Sequence, residues 1–363
     1  MREFEDLDRV LLFLVLVIFL IGLCCIWSAS NNRGLEIMER FVTRQAFWML
    51  IGLVILLPLF VLIDYQKIID FGYVMYVLGL LLLCLVLVMG RIRLGAQRWF
   101  SIAGFSVQPS EFYKIIYIIT VTSYLGHTRS EIATARGLIV PLLLTVLPFL
   151  LIIAQPDLGT ALILIPVFFA MLFVAGARVL HLLGLILMGV GASPLFWHCL
   201  KAYQKKRLLV FLNPDIDPLG AGYTVIQSKI AIGSGGLFGK GWLAGTQNQL
   251  NFLPERHTDF IFSVIGEEWG LLGAVVLIGL YCWLLKRGIM IIEGTTDIYG
   301  KLLGTGIITM LSFQICVNIA MTMGLMPVVG VPLPLMSYGG SSLWTTIIAI
   351  ALLLNVGMRR TRF

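Results

Sequence analysis

The sequence predicts an all-α, polytopic integral membrane protein, and three observations carry that prediction. Hydrophobic residues make up 59% of the 363-residue chain and charged residues only 12%. A soluble domain carries about 25% charged residues, so this chain has about half the charge needed to coat a globule. Its mean hydropathy is +0.97, and the apolar runs recur from one end to the other. A water-soluble enzyme and a chain with one or two membrane anchors are both excluded, and the same composition excludes disorder.

A membrane span needs about 20 mainly apolar residues. Ten stretches qualify, at 10–30, 46–63, 71–89, 110–126, 138–155, 159–176, 179–199, 260–285, 301–323 and 337–356. The first follows an acidic start, Glu3-Phe4-Glu5-Asp6, and lacks a small-residue cleavage pattern. It therefore reads as a retained helix and not a removed signal peptide. Pro58, Pro141, Pro148, Pro166 and Pro194 fall in the spans, where neighbouring helices satisfy the backbone groups that proline frees. The fifth and sixth spans are joined by a very short turn around Pro156-Asp157. The seventh and eighth are joined by the one long connection, residues 200–259, within a single transmembrane domain of residues 1–363. The six cysteines lie in or beside apolar runs without a CxxC pair, so free buried thiols are expected and not a disulfide frame or zinc site.

Ten spans put both ends on one side, and Lys and Arg in short loops set which side that is. The formal charge is +7, from 26 basic and 19 acidic residues. With the long connection left out, the side holding both ends carries twelve basic residues and the other side six, which favours cytoplasmic ends. The basic residues sit between apolar runs, so topology and an anionic lipid or substrate account for them better than nucleic acid does.

The long connection is the least membrane-like part of the chain, and so long a connection is usually functional. It begins with Lys201, Lys205, Lys206 and Arg207 and ends in Pro254-Glu255-Arg256-His257-Thr258-Asp259-Phe260. Asp259 stands where water meets lipid, so desolvation raises its pKa while Arg256 nearby pulls the other way. It reads either as a general base facing an interfacial substrate or, with Thr258, as a helix N-cap. Glu255, His257 and Asp259 leave a metal site open, although no HExxH or EF-hand pattern is present. The glycines at 233, 235, 236, 239 and 241 suit either a phosphate-facing backbone or a turn, and the spacing is not that of a Walker A loop. Arg207, Lys229 and Lys240 belong to an anion-attracting field.

Elsewhere, Glu111 and Lys114 lie three residues apart at the start of the fourth span, where they share a helix face and can pair. Charges at mid-membrane cost about 2.5–3.5 kcal/mol each, so a retained pair argues for an interior cavity; shallow placement with a snorkelling lysine is the alternative. Asp157 is a natural cap for the sixth span. Trp99 reads as an interfacial anchor, and Ser337 lies in a small-residue stretch suited to close helix packing.

QPSE at 108–111 with Lys114, AQPDLGT at 154–160, DPLGAGY at 217–223, QSKIAIGSGGLFGKGW at 227–242, FLPERHTDF at 252–260 and PLMSYGGSS at 334–342 together resemble the SEDS family (shape, elongation, division and sporulation). The resemblance runs along nearly the whole chain. It implies a glycosyltransferase that polymerises lipid II into peptidoglycan strands during cell elongation, at the outer face of the bacterial cytoplasmic membrane. It implies ten spans, cytoplasmic ends and one large extracytoplasmic loop before the eighth span. The family's essential aspartate falls on Asp259 and its intramembrane pair on Glu111 and Lys114. A class B penicillin-binding protein is the implied partner, and undecaprenyl pyrophosphate the leaving group. Arg207, Lys229 and Lys240 are then expected to hold the pyrophosphate, with Mg²⁺ as an optional aid. Glu111, Lys114, Asp157, Trp99, His257 and Ser337 are expected to border the substrate. A lipid II flippase and a non-catalytic scaffold for the penicillin-binding protein are the rival readings, and strand formation in detergent separates them.

Overall fold

The computed structural model describes residues 7–31, 35–93, 96–102, 105–128, 131–213, 216–218 and 220–359. The acidic start at 3–6, the charges Arg2, Arg129, Arg360 and Arg362, and Pro214, Asp215 and Leu219 of the long connection lie outside the described residues. The chain opens with α1 (Arg9–Ser30), whose Asp8 cap accepts from the Leu11 amide. Next come α2 (Leu35–Ile51), a π turn at Gly52–Leu56 and α3 (Leu57–Leu62), which together form the second span. A short α4 (Tyr65–Asp70) precedes α5 (Gly72–Met89). An antiparallel ribbon of β1 (Arg91–Arg93), β2 (Ala96–Ile102) and β3 (Phe105–Val107) follows, with Phe100 opposite Val107.

Then come α6 (Pro109–His127), α7 (Ile139–Ala154), α8 (Leu158–Ala175) and α9 (Val179–Cys199). The long connection folds into α10 (Ala202–Leu212), α11 (Ala221–Ser234) and α12 (Thr246–Gln249). Finally α13 (Ile261–Glu268), α14 (Gly270–Glu293), α15 (Ile298–Thr322) and α16 (Gly340–Arg359) complete the bundle.

Among the described residues, eight helices are long and apolar enough to cross a membrane. The two further predicted spans fall on α6 and α9. α6 has 19 residues but carries Glu111, Lys114, Ser110, Thr120, Thr122 and Ser123; α9 has its unbroken apolar stretch at Val179–Pro194. Polarity matches position. α6, α8, α15 and α16 pack on one another at the centre, and α6 buries most of its residues, the charged pair included. The apolar windows of α8, α15 and α16 are 56%, 67% and 89% buried, against 28% for α5 and α14. Leu78, Leu81, Leu271, Val275 and Val276 of those outer helices are exposed, as a lipid-facing surface requires.

The eighth predicted span, starting at 260, is divided. α13 ends at Glu268, and the chain turns at Trp269-Gly270 before α14 begins. The glycine-rich stretch docks on this break: Leu271 N–H donates to Gly236 O (2.9 Å), Leu272 N–H to Leu237 O (3.1 Å) and Lys240 N–H to Glu267 O (3.0 Å). A Cβ on Gly239, at φ 80°, would come within 2.1 Å of Glu268 O, and one on Gly270, at φ 65°, within 2.3 Å of Gly239 N. Only glycine permits that approach and that backbone. Gly239 and Gly270 thus serve backbone packing. The cysteines found at described positions are free; Cys25 is buried, whereas Cys24, Cys84, Cys282 and Cys316 lie on exposed helix faces, contrary to the expectation of buried thiols.

Candidate functional site

A cavity of about 1150 Å³ opens between α2, the β-ribbon, the start of α6, α10, the 255–259 segment and the 330–342 segment. Of the residues singled out by sequence, Asp259, Arg207, His257, Glu111 and Trp99 line it. The lining also includes residues not singled out by sequence, among them Arg44 on α2, Arg98 on β2 and Tyr338. Arg44 was legible only as a charge just ahead of the second predicted span, and Arg98 only as the neighbour of Trp99.

Asp259 sits just before α13 and is partly exposed to the cavity. It does not cap that helix: the cap position is Phe260 and no side chain bonds there. The Thr258 hydroxyl instead donates to Glu255 O (3.1 Å) and the Glu255 carboxylate (3.2 Å). Among the described residues no side-chain donor reaches the Asp259 carboxylate, so burial dominates and pushes its pKa from 3.8 up to about 6. Glu255 pushes the same way, Arg207 and Arg98 pull down, and Asp157 adds a further push. That is the protonation balance of a base able to take a proton near neutrality.

The arginines are held by backbone carbonyls. Arg207 on α10 donates to Val328 O (3.2 Å). Arg98 donates to Gln155 O (3.3 Å) and to Pro156 O and lies 3.5 Å from the Asp157 carboxylate. Asp157 itself is 1% exposed and does not line the cavity. Its carboxylate accepts from Gln108 Nε2 (2.7 Å), Ser110 Oγ (2.9 Å) and Thr160 Oγ1 (2.9 Å). It caps α8 and anchors Arg98. Lys114 Nζ donates to Glu111 Oε2 at 2.8 Å, with both side chains buried. The snorkelling alternative is thereby excluded; Glu111 faces the cavity and Lys114 neutralises it from behind.

Three expected substrate contacts fall elsewhere. Lys240 pairs with the fully buried Glu267 (2.9 Å) and the Thr246 hydroxyl (2.8 Å). Glu267 also accepts from the Gln247 and Asn248 amides, so this lysine ties the long connection to α13. Lys229 is exposed and packs over Gly324, outside the cavity lining. Ser337 is buried; its hydroxyl donates to Thr258 O (2.6 Å) and accepts from the Leu333 amide (2.8 Å), a backbone bridge in place of a substrate contact. His257 stacks against Phe41 with ring centroids 4.8 Å apart, Phe41 meets Tyr338 at 4.8 Å, and Trp48 meets Tyr338 at 5.2 Å. These rings form an aromatic wall, with Arg44 against Tyr338. Among the described residues no three His, Cys, Asp or Glu side chains gather as a cation site, so Glu255, His257 and Asp259 do not form the ligand set their spacing left open.

The cavity's makers come from both ends of the chain, and the similarity to known proteins is equally long. The chain is 36% identical to peptidoglycan glycosyltransferase RodA of Treponema pallidum, over 99% of each chain. It is 39% identical to peptidoglycan glycosyltransferase MrdB of Escherichia coli, over 98% of this chain and 94% of that one. It is also 39% identical to the stage V sporulation protein E of Bacillus subtilis, over 96% of each. Among solved structures, a chain from a peptidoglycan synthase complex described as coordinating polymerization and crosslinking superposes with a TM-score of 0.84 at 36% identity, covering 98% of this chain and 99% of that one. The rod shape determining protein RodA of Thermus thermophilus superposes at 0.72 with 32% identity, over 98% of each chain. With the family model matching residues 8–362, the chain belongs to the cell cycle protein family of FtsW, RodA and SpoVE, the SEDS proteins that its motifs resemble.

Proposed function

We infer that this multi-pass membrane protein is a peptidoglycan glycosyltransferase of the RodA type, and that Asp259 is the base of an inverting transfer between two molecules of lipid II. The observation that carries the assignment of the base is a carboxylate with no side-chain donor among the described residues, facing a large cavity lined by Arg44, Arg98 and Arg207. In the proposed reaction Asp259 takes the proton of the GlcNAc 4-hydroxyl as its oxygen attacks the anomeric carbon of the other molecule's MurNAc. The bond from that carbon to the diphosphate oxygen breaks, undecaprenyl pyrophosphate leaves with the electron pair, and the linkage inverts.

Arg207 and Arg98 line the same cavity as Asp259 and act electrostatically on it, and they are the proposed holders of the donor's diphosphate. Guanidinium forks suit phosphate oxygens, and fixed cations aimed at developing charge are a main source of rate. Lys229 and Lys240 have no part in this arrangement. The donor set does not fit a protein-held metal, and a divalent cation such as Mg²⁺ would take most of its ligands from phosphate and water. The aromatic wall of Phe41, His257, Tyr338 and Trp48 offers flat apolar surface to sugar rings and prenyl chain.

Both chain ends are proposed to face the cytoplasm and the cavity the outside, with a class B penicillin-binding protein cross-linking the emerging strand. The test is Asp259→Asn in purified, folded protein supplied with labelled lipid II. Strands resolved on a gel are expected to disappear; polymerisation at a near wild-type rate would remove Asp259 from the base role. Strand formation by the unsubstituted protein in detergent, where no two compartments exist, separates glycosyl transfer from flipping.

A further inference from the structure

We propose that Asn318, a fully buried residue on α15, is a positioning residue for Asp259, acting by stapling together the two backbone segments between which the carboxylate is held; this rests on Asp259 being the base. The Asn318 amide donates to Asp259 O (2.9 Å) and to Val331 O (2.7 Å). The orientation of the amide follows from chemistry: both partners are carbonyl acceptors, so the NH₂ and not the oxygen must face them. That choice leaves Asn318 Oδ1 buried without a partner among the described residues. An apolar side chain here would remove the orphan oxygen but strand both carbonyls, so the amide is the group that this pair of backbone segments requires. The arrangement is retained where it fixes geometry.

The segment on the far side of the staple touches the reacting group. Gly330, next to Val331, lies under the carboxylate: a Cβ there would sit 3.2 Å from Asp259 Oδ2. Two residues earlier, Val328 O receives the Arg207 guanidinium. Farther along, the Ser337 hydroxyl holds Thr258 O, and the Tyr338 amide donates to His257 O (2.9 Å). Residues 328–338 thus form a strap that runs alongside 257–259, holding the base on one side and a cavity cation on the other. Ser337 and Tyr338 register the strap at one end. Asn318 is the side chain that joins both strands to a transmembrane helix at the level of the carboxylate.

Releasing the staple lets the 259 backbone and Gly330 move apart. A shift of about 1 Å at a reacting group costs on the order of 10²-fold in rate, while Arg98, held by Gln155 O and Pro156 O, and Phe41 and Trp48 on α2 lie off the strap and stay in place. Water also enters beside the carboxylate. The charged groups acting on it are Glu255, Asp157, Arg207 and Arg98, and none of them is held by Asn318.

The experiment measures kcat, KM for lipid II and the pH–rate profile for wild type, Asn318→Ala, Asn318→Ser and Asp259→Asn, each checked for folding by thermal unfolding. Asn318→Ala is expected to lower kcat about 10–100-fold with KM within about twofold, and to move the acid limb of the profile to lower pH. Asn318→Ser keeps one donor and is expected to fall between wild type and Asn318→Ala in both readouts. Should Asn318→Ala fail to fold, the same comparison is made with Asn318→Ser. A kcat close to wild type, or a loss of rate equal at every pH with the acid limb unmoved, overturns the positioning role. An inactive Asp259→Asn beside a fully active Asn318 variant refutes the staple and leaves the base assignment standing. An active Asp259→Asn removes both.

Discussion

Asp157 and Asp259 are the same residue type at similar chain positions, each in a turn just before a helix, and the bundle uses them in opposite ways. Asp157 is enclosed by Gln108, Ser110, Thr160 and Arg98, so its charge is fully engaged in holding β2, α6 and α8 together. Asp259 has neighbours that act on it through space but no side-chain donor among the described residues, and burial leaves it with a pKa raised to about 6. A carboxylate saturated with donors is a strut, whereas one deprived of them retains affinity for a proton. The difference lies in what surrounds each acid, and sequence position does not reveal it.

The sharpest way to break the comparison is to neutralise each acid in turn. Asp259→Asn is expected to reduce strand synthesis by about 10²–10⁴-fold, the usual share of a general base, with the fold kept. The native state holds the Asp259 proton more tightly than the unfolded chain does between the ordinary carboxylate range and pH 6. Stability therefore falls as pH rises through that window, and the amide removes the penalty. Asp259→Asn should unfold at a higher temperature at pH 7.5, by an amount equivalent to about 1–2 kcal/mol once solvent at the cavity mouth is allowed for. The same group sets the rate profile: turnover should rise through about pH 6 as the base becomes free.

Asp157→Ala should do the reverse. Stranding three donors and a guanidinium costs about 3–5 kcal/mol, seen as lost folded protein and a lower unfolding temperature. Arg207→Gln, made at the cavity wall, should lower turnover by about 10²-fold with little change in unfolding temperature. The smallest effect belongs to Lys240→Ala. Glu267 keeps its amide donors, so the loss is about 1 kcal/mol of stability, and turnover per folded molecule should stay within about twofold of wild type.

Much of the architecture was legible because apolar runs of span length have few other uses. Even α6, the home of Glu111 and Lys114, was legible as a mainly apolar run at 110–126. The β-ribbon at 91–107 was missed because its strands are short and lie in a connection. The division at Trp269-Gly270 was missed because Ile261–Ile265 is apolar and merges with α14 in any hydropathy window. Asp259, Arg207, His257, Glu111 and Trp99 line the cavity, whereas Lys240 does not. Its partner Glu267 lies 27 residues away inside a predicted span, and nothing local connects them. Arg44 and Arg98 went unnoticed for the converse reason: a basic residue at a membrane edge is ordinary until the fold brings three of them to one cavity.

The pairing of Arg98 with Asp157 also counts crossings. Two groups meet at one face of a bilayer only when the chain between them traverses it an even number of times. α6 and α7 lie between these two, and α7 belongs to an apolar span, Arg136–Ala154; α6 must therefore traverse as well, whatever its polarity. From Asp157 to Asp259 the chain passes α8 and then α9 to α12; with α8 crossing, the same parity requires a return crossing, and α9 carries the apolar stretch suited to it, Val179–Pro194. A tally of the eight most apolar helices would separate these groups by the full thickness of the membrane.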